Sequence, residues 1–224
     1  MIKISIIVPC LNEAASIQSC LSSLQFLRAN GHEVIVVDGS SNDATVSLAK
    51  DMADYVLVAP RGRARQLNFG ADKATGSLLL FLHADTLLPE DAEARLNEVV
   101  GSEFLWGRFD VRLSGAHILF RLIEYFMNIR SRVTGIATGD QAIFVSRELF
   151  EYVGGFPDIE LMEDIAFSKK LKKMASPICL RDKVLTSSRR WEKVGIIKTV
   201  FKMSLLRLRY ALGVKPDKLA RDYE

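Results

Sequence analysis

The chain has 224 residues, 49% hydrophobic and 25% charged, with a formal net charge of +3. That is ample for one α/β domain with a sizeable core, and it excludes a disordered chain, a fibrous one, or a strongly polybasic nucleic-acid binder. Cys10, Cys20 and Cys179 are an odd, scattered set without a CxxC, which argues for reduced thiols and against a disulfide framework or a zinc site.

In chain order, the run KISIIVP (3–9) reads as a first strand. Asn12 then suits a helix cap, with Ile17, Cys20, Leu21, Leu24 and Leu27 on one face and Gly31 as the stop. EVIVVD (33–38) is a second strand, and GSSNDAT is turn chemistry that opens a helix near Asp43. YVLV (55–58) is a third strand. RGRARQLNFGADKA carries weak helical periodicity through Ala64, Leu67, Asn68 and Ala71. SLLLFLHAD (77–85) is a fourth strand, and Pro89, Glu90 and Asp91 suit the next helix start. FLWGRFDVRL (104–113) alternates as a half-exposed strand, and residues 117–130 form an apolar-rich helix. A strand, a helix, a Gly-Pro turn and a helix follow through GDQAIFV…ELMEDIAFSKKLKK. PICLR and VLTSS read as two short strands, and residues 194–212 as the final helix.

Alternating β and α units with near-continuous apolar strands predict a doubly wound, mainly parallel or mixed sheet flanked by helices. The chain divides into a domain over 1–192 and a basic amphipathic helical extension over 193–224, within one structural unit. From Arg189 onward ten Lys/Arg face four Asp/Glu, so the tail carries +6 and the remainder −3. Such a tail suits a membrane surface, an anionic substrate or simply a solvated face. No run reaches the roughly 18 apolar residues of a membrane span, and MIKISIIVPC lacks a signal-peptide layout. The expectation is a cytoplasmic protein, either free or peripheral at the inner membrane face.

Ligands of open α/β sheets bind beyond the carboxyl ends of the strands. Asn12, Glu13, Asp38, His83 and Asp85 all fall there, so they should gather on one edge. No GxGxxG follows the first strand, and neither a Walker A sequence nor HExxH occurs. Taken singly, Asp38 is either a turn-starting aspartate or an acceptor for a base or ribose. Asp85 is either a turn residue or an oxygen ligand for Mg²⁺ or Mn²⁺. Glu163-Asp164 is either dipole complementation at a helix start or a general base.

Taken in order, SIIVPCLNE, VVDGSSNDAT, FLHAD, GGFP…MED and RRW resemble a family 2 glycosyltransferase with a GT-A fold. The resemblance spans roughly residues 3–192. The flanking RGRARQLNFGADKATG, TGDQAIFVSRELFEYVGGFPDIELMEDI and TSSRRWEKVG look closer still to the small bacterial selenodomain-associated transferase 2 subgroup. The resemblance implies a site for a nucleoside-diphosphate sugar, with a UDP-sugar favoured. Pro9, Asn12 and Glu13 match the first nucleotide-contacting loop. Asp38 matches the carboxylate on uracil or its ribose, with Ser40 and Asp43 nearby. Arg61, Arg65, Gln66 and Asn68 fall where the family contacts base, ribose or diphosphate. His83-Ala84-Asp85 occupies the DxD position: Asp85 matches the metal-binding aspartate, and His83 departs from the usual first aspartate. Asp164, beside Glu163, matches the base of the ED motif. Gly139, Asp140, Arg190 and Trp191 fall on the acceptor side. Ser187 replaces the glutamine of QxxRW, which argues against processive polymerisation.

The expected reaction is an inverting, metal-assisted, non-processive transfer to an acceptor hydroxyl. The alternatives are a non-catalytic nucleotide-sugar binder and a sugar-1-phosphate nucleotidyltransferase. Leu119, Leu122, Ile123, Phe126 and Ile129 either pack on the sheet or line a channel for a lipid-linked acceptor. Val194, Ile197, Phe201, Leu205, Leu208 and Leu212 form a stripe for packing, for a dimer partner or for a membrane interface.

Overall fold

The computed structural model describes residues 2–101 and 104–223. The apolar runs of the first half form β1 (Ile4–Cys10), β2 (Glu33–Asp38), β3 (Tyr55–Val58) and β4 (Leu78–Phe81). β1 lies between β2 and β4, and β3 flanks β2, all in parallel. After β4 come β5 (Thr86–Leu87), β6 (Trp106–Leu113), β7 (Ile143–Ser146) and β8 (Ile178–Thr186). Among the described residues one eight-stranded sheet results, in the order β3-β2-β1-β4-β7-β6-β8-β5. β7 is antiparallel to both β4 and β6, β8 runs parallel to β6, and β5 closes the far edge against β8.

Both faces are covered, which is why β1, β2 and β4 read as unbroken apolar runs. The pleat splits each run between two cores. Ile6, Val34, Val36 and Leu80 face α1 (Ile17–Ser23) with Leu21. Ile7, Ile35, Val37 and Phe81 face α4 (Arg63–Lys73) with Leu67.

Several segments depart from their sequence reading. The helix after Asn12 is two helices, α1 and α2 (Gln25–Ala29), broken at Leu24. Asn12 caps neither, because its Oδ1 accepts the Asn42 amide at 2.8 Å. The apolar face is nonetheless the expected one, with Ile17, Cys20, Leu21, Leu24 and Leu27 buried. The helix near Asp43 is α3 (Thr45–Ala49), and that after Pro89 is α5 (Ala92–Val99). Strand pairing of SLLLFLHAD stops at Phe81. The Thr86 amide donates to the His83 carbonyl at 3.0 Å, and this turn lifts Asp85 off the sheet edge.

β6 is not half-exposed. It lies inside the sheet with Trp106 and Arg108 fully buried. Its charges survive burial because Asp110 holds both Arg108 and Arg132. The two short strands are one, β8. The helix over 194–212 is α10 (Ile196–Ala211); two helices outside the sequence reading flank it, α9 (Arg189–Val194), separated from it by Gly195 at φ 99°, and α11 (Pro216–Tyr223).

The helix over 118–134 (α6, Ile118–Thr134) is amphipathic in the inverted sense. Glu124, Asn128 and Ser131 face the protein, where Glu124 accepts the Leu113 amide and Asn128 bonds Val111 through both its polar ends. Leu122, Phe126 (61% exposed) and Ile129 face outward, so packing on the sheet is overturned for these three. The α10 stripe is likewise external: Val194, Ile197, Phe201 (72%), Leu205, Leu208 and Leu212 are exposed, which excludes packing on this chain's own sheet. Fully burying one such side chain stabilises by roughly 1.5–3 kcal/mol. α6 and α10 together leave a substantial driving force unused.

Candidate active site

At the β1 and β2 ends the polar groups bind one another. Pro9 is a buried ladder residue of β1. Asn12, at φ 55°, donates its amide to Ser41 Oγ at 2.8 Å. Asp38 is buried and accepts the Ser41 amide at 2.8 Å, while Ser40 is exposed at φ 71°. Asp43 accepts the amides of Ala14 and Thr45 at 3.1 and 3.0 Å, and its bond from the Thr45 hydroxyl is the largest influence holding its pKa low. Two loops separated by some thirty residues are thus locked into one rim.

The basic segment sorts differently from its sequence reading. Arg61 is exposed, and Arg65 pairs with Asp158 at 2.9 Å on the surface. Gln66 is buried, with Nε2 donating to the Cys10 and Val37 carbonyls, both at 2.8 Å. Asn68 clamps Phe156 by both its amide ends, at 2.8 and 2.9 Å. Gln66 and Asn68 therefore hold backbone in this state. The arginine that reaches the centre is Arg63, which sequence reasoning passed over. Its Nη1 is 3.8 Å from Glu163 Oε1, and the charges of Asp164 and Asp85 act on it. A signal existed: Arg63 is four residues before buried Leu67, so at the first position of α4 it edges the buried face while staying half exposed, whereas Arg65 is offset by two.

A narrow pocket joins Arg63, His83, Gly139, Glu163 and Asp164 above an apolar floor that includes Phe81 and Phe156. Phe156 packs on Phe167 with ring centroids 4.0 Å apart. Asp164 opens α8 (Glu163–Lys172), where Met162 at φ 68° turns the chain into the helix. Its Oδ2 accepts the Gly139 amide at 2.9 Å and its Oδ1 accepts the Ile165 amide at 2.7 Å. Gly139 is required by closeness: a Cβ there would lie 2.5 Å from His83 Nε2. Burial, then Asp164, push the Glu163 carboxyl up to about 7, against the pull of Arg63. Burial, then Arg63, push His83 down to about 3, so its ring is neutral. Ala84 is buried behind it. Asp140 accepts the Thr138 hydroxyl at 2.6 Å.

Asp85 is not among the residues lining this pocket, but its charge and that of Arg63 act on each other. Burial, then Glu13, raise its pKa, while Arg189 and Arg63 lower it. Glu13 accepts Arg189 at 3.1 Å, which ties the β1 loop to the start of α9 across 176 positions. Arg189 is the second residue missed from sequence. Its neighbour Arg190 instead stacks on the Tyr223 ring, 3.8 Å from the centroid. Trp191 is half-buried.

The metal question rests on Asp85. No cluster of three metal-binding side chains occurs among the described residues. A lone carboxylate that is half-buried and near a second acid, Glu13, nevertheless fits Mg²⁺ or Mn²⁺, which takes one or two carboxylates and completes its shell with water and phosphate.

A mixed sheet with a parallel half, a carboxylate past the β4 end and an acid pair opening α8 are the arrangement of the GT-A fold. The chain belongs to glycosyl transferase family 2, whose family model matches residues 5–144. It is 33% identical over 169 residues to the PGL/p-HBAD biosynthesis glycosyltransferase of Mycobacterium bovis, covering 68% of this chain and 62% of that protein. It is 32% identical over 95 residues to poly-beta-1,6-N-acetyl-D-glucosamine synthase of Staphylococcus aureus, covering 40% of this chain and 23% of that one. The chain thus spans less than two thirds of these relatives' length. Among solved structures, S. aureus TarS 1–349 with UDP superposes with a TM-score of 0.67 at 21% identity, covering 83% of this chain and 60% of that one. The mannosyltransferase PcManGT of Pyrobaculum calidifontis, with GDP-Man and Mn²⁺, gives 0.63 at 23% identity, covering 82% and 56%.

Proposed function

We propose that the protein transfers a sugar from a nucleoside diphosphate, with UDP favoured, to an acceptor hydroxyl with inversion, one residue at a time. The observation that carries this is Asp164: two backbone amides fix its carboxylate at the pocket, and its charge and that of Asp85 both act on Arg63. Asp164 takes the acceptor proton, and the acceptor oxygen bonds to the anomeric carbon. The bond from that carbon to the diphosphate oxygen breaks on the opposite face, and the electron pair leaves with the nucleotide. Arg63 offsets the charge that grows on the diphosphate. Asp85, with Glu13 beside it, would hold a divalent cation, which supplies further charge stabilisation to the leaving group. Asp38 and the β1–β2 rim would seat the base and ribose.

We read residues 193–224 as part of the same unit as 1–192. Leu219 of α11 is buried with Met162 and Ile165, and Lys202 donates to the Tyr223 carbonyl at 2.9 Å. We further read the exposed apolar faces of α6 and α10 as a peripheral membrane contact, with exposed Lys198 beside the α10 face; Lys202 and Arg209 are engaged by Tyr223 and Asp222 of α11. Among the described residues no helix is long and apolar enough to cross a membrane.

A panel of sugar nucleotides with Mg²⁺ or Mn²⁺, scored for nucleotide release, tests the reaction. NMR of the first-formed sugar reads its anomeric configuration. Release with inverted configuration is the expected result; retention, or no response to any donor, ends this reading.

A further inference from the structure

The buried Arg108 and the half-buried Arg121 each have a carboxylate, Asp110 and Glu124, and so do the more exposed Arg132 (Asp110) and Arg63 (Glu163). Arg130 of α6 and Arg207 of α10 do not. Both Nε atoms are buried without a hydrogen-bond partner among the described residues. Arg130 makes one long contact, from Nη2 to Thr138 Oγ1 at 3.5 Å. The two cations act on each other: burial and then Arg207 pull the Arg130 pKa down to about 10. Asp140 and Asp164 oppose this through their charges, but neither makes an ion pair with Arg130 among the described residues, so the two neighbouring cations still favour an anion between them.

Their place in the fold says what that would be. Thr138, which Arg130 touches, precedes Gly139, whose amide holds Asp164. Arg207 follows Leu206, which packs with Met162 and Ile165 on either side of Glu163-Asp164. Asp164 is the group whose charge acts on both Arg130 and Arg63, while Asp85 acts on Arg63 and Asp140 on Arg130. A planar guanidinium fork matches a phosphate or carboxylate.

We propose that Arg130 and Arg207 form a subsite for an anionic group, a phosphate or carboxylate, carried by the acceptor close to the hydroxyl that receives the sugar. This rests on the transferase reading above. The anion would orient the acceptor so that its hydroxyl meets Asp164. It would also account for two unpaired cations beside a base that needs to keep its own negative charge. The outward apolar faces of the same two helices leave room for a lipid-borne phosphate, and a water-soluble phosphomonoester presents the same chemistry.

The test uses the full chain saturated with UDP and Mn²⁺, titrated with inorganic phosphate by calorimetry. Glycerol phosphate and an isoprenyl phosphate in detergent are then titrated in turn. The expected result is that Arg130→Gln and Arg207→Gln each weaken phosphate about tenfold and leave UDP affinity unchanged. Arg130→Lys, which keeps the charge, should retain part of the binding, so a misfolded glutamine variant would not decide the matter. Tighter binding of the isoprenyl ester would assign the subsite to a lipid-borne acceptor, and of glycerol phosphate to a soluble one; either supports the subsite. Phosphate binding that is absent, or unchanged in both glutamine variants, overturns it. So does a loss of UDP affinity in those variants, since the pair would then belong to the donor. A wild-type chain that binds no UDP overturns the transferase reading and this subsite together.

Discussion

The loops that end β1, β2 and β4 and the helices α6 and α10 treat their side chains in opposite ways. In the first region apolar groups go inward, and the polar groups above them satisfy one another: Asn12 with Ser41 and Asn42, Asp38 with Ser41, Gln66 with two strand-end carbonyls. In the second, Glu124 and Asn128 go inward and Phe126 and Phe201 go out. A rim saturated with internal hydrogen bonds is built to hold its shape, which suits the proposed nucleotide site. A surface that leaves large apolar groups in water is built to meet something else.

Four changes separate the two regions, in descending order of effect. Asp164→Asn removes the proposed base, and turnover should fall by about 10²–10⁴-fold with donor affinity preserved. Near-normal transfer in steady-state assays would reassign the base. Gln66→Leu in the rim strips buried carbonyls of a donor and should cost about 1–3 kcal/mol in urea unfolding. A neutral result would mean that the rim is less tightly built than its hydrogen bonds imply.

Glu163→Gln acts through pH. The folded chain keeps the Glu163 proton up to about 7, whereas the ordinary value is 4.5. Between those values the folded state binds more protons than the unfolded one. This contribution is fully present below about pH 4.5 and is lost as pH rises through 7. Melting curves of the glutamine variant should therefore decline less from pH 5 to 8, by about 1–3 kcal/mol. Parallel pH profiles would show that Arg63 fully offsets the burial.

The smallest stability effect belongs to Phe126→Ser combined with Phe201→Ser, within about 0.5 kcal/mol. The same pair should weaken flotation with anionic vesicles. A large loss of stability would mean that these faces are covered within the chain, and unchanged flotation with altered sedimentation would point to a second copy.

Much of the fold was legible because it is local. β2 and β3 fall at their predicted bounds, since period and turn chemistry are written within a few residues of each strand. β6 departs from its sequence reading because its alternation resembles a half-wet strand. Only Asp110, with Arg132 reaching over from α6, makes burial of that alternation affordable. The site was partly legible. Asp85 and Asp164 stand at a strand end and a helix start, where position alone narrows the choice. Arg63 and Arg189 were missed in favour of near neighbours, because motif matching resolves a segment and not the direction of a side chain.

By itself the sequence determined the alternation of elements, the carboxylates at their ends and the membership of family 2, all of which depend on short-range periodicity or motif order. Tertiary structure decided which arginine enters the pocket, that Glu13 meets Arg189 and Arg190 meets Tyr223, and that α6 shows its apolar side to the outside. Those outcomes depend on contacts between segments far apart in the chain, where burial and charge pairing outweigh local preference.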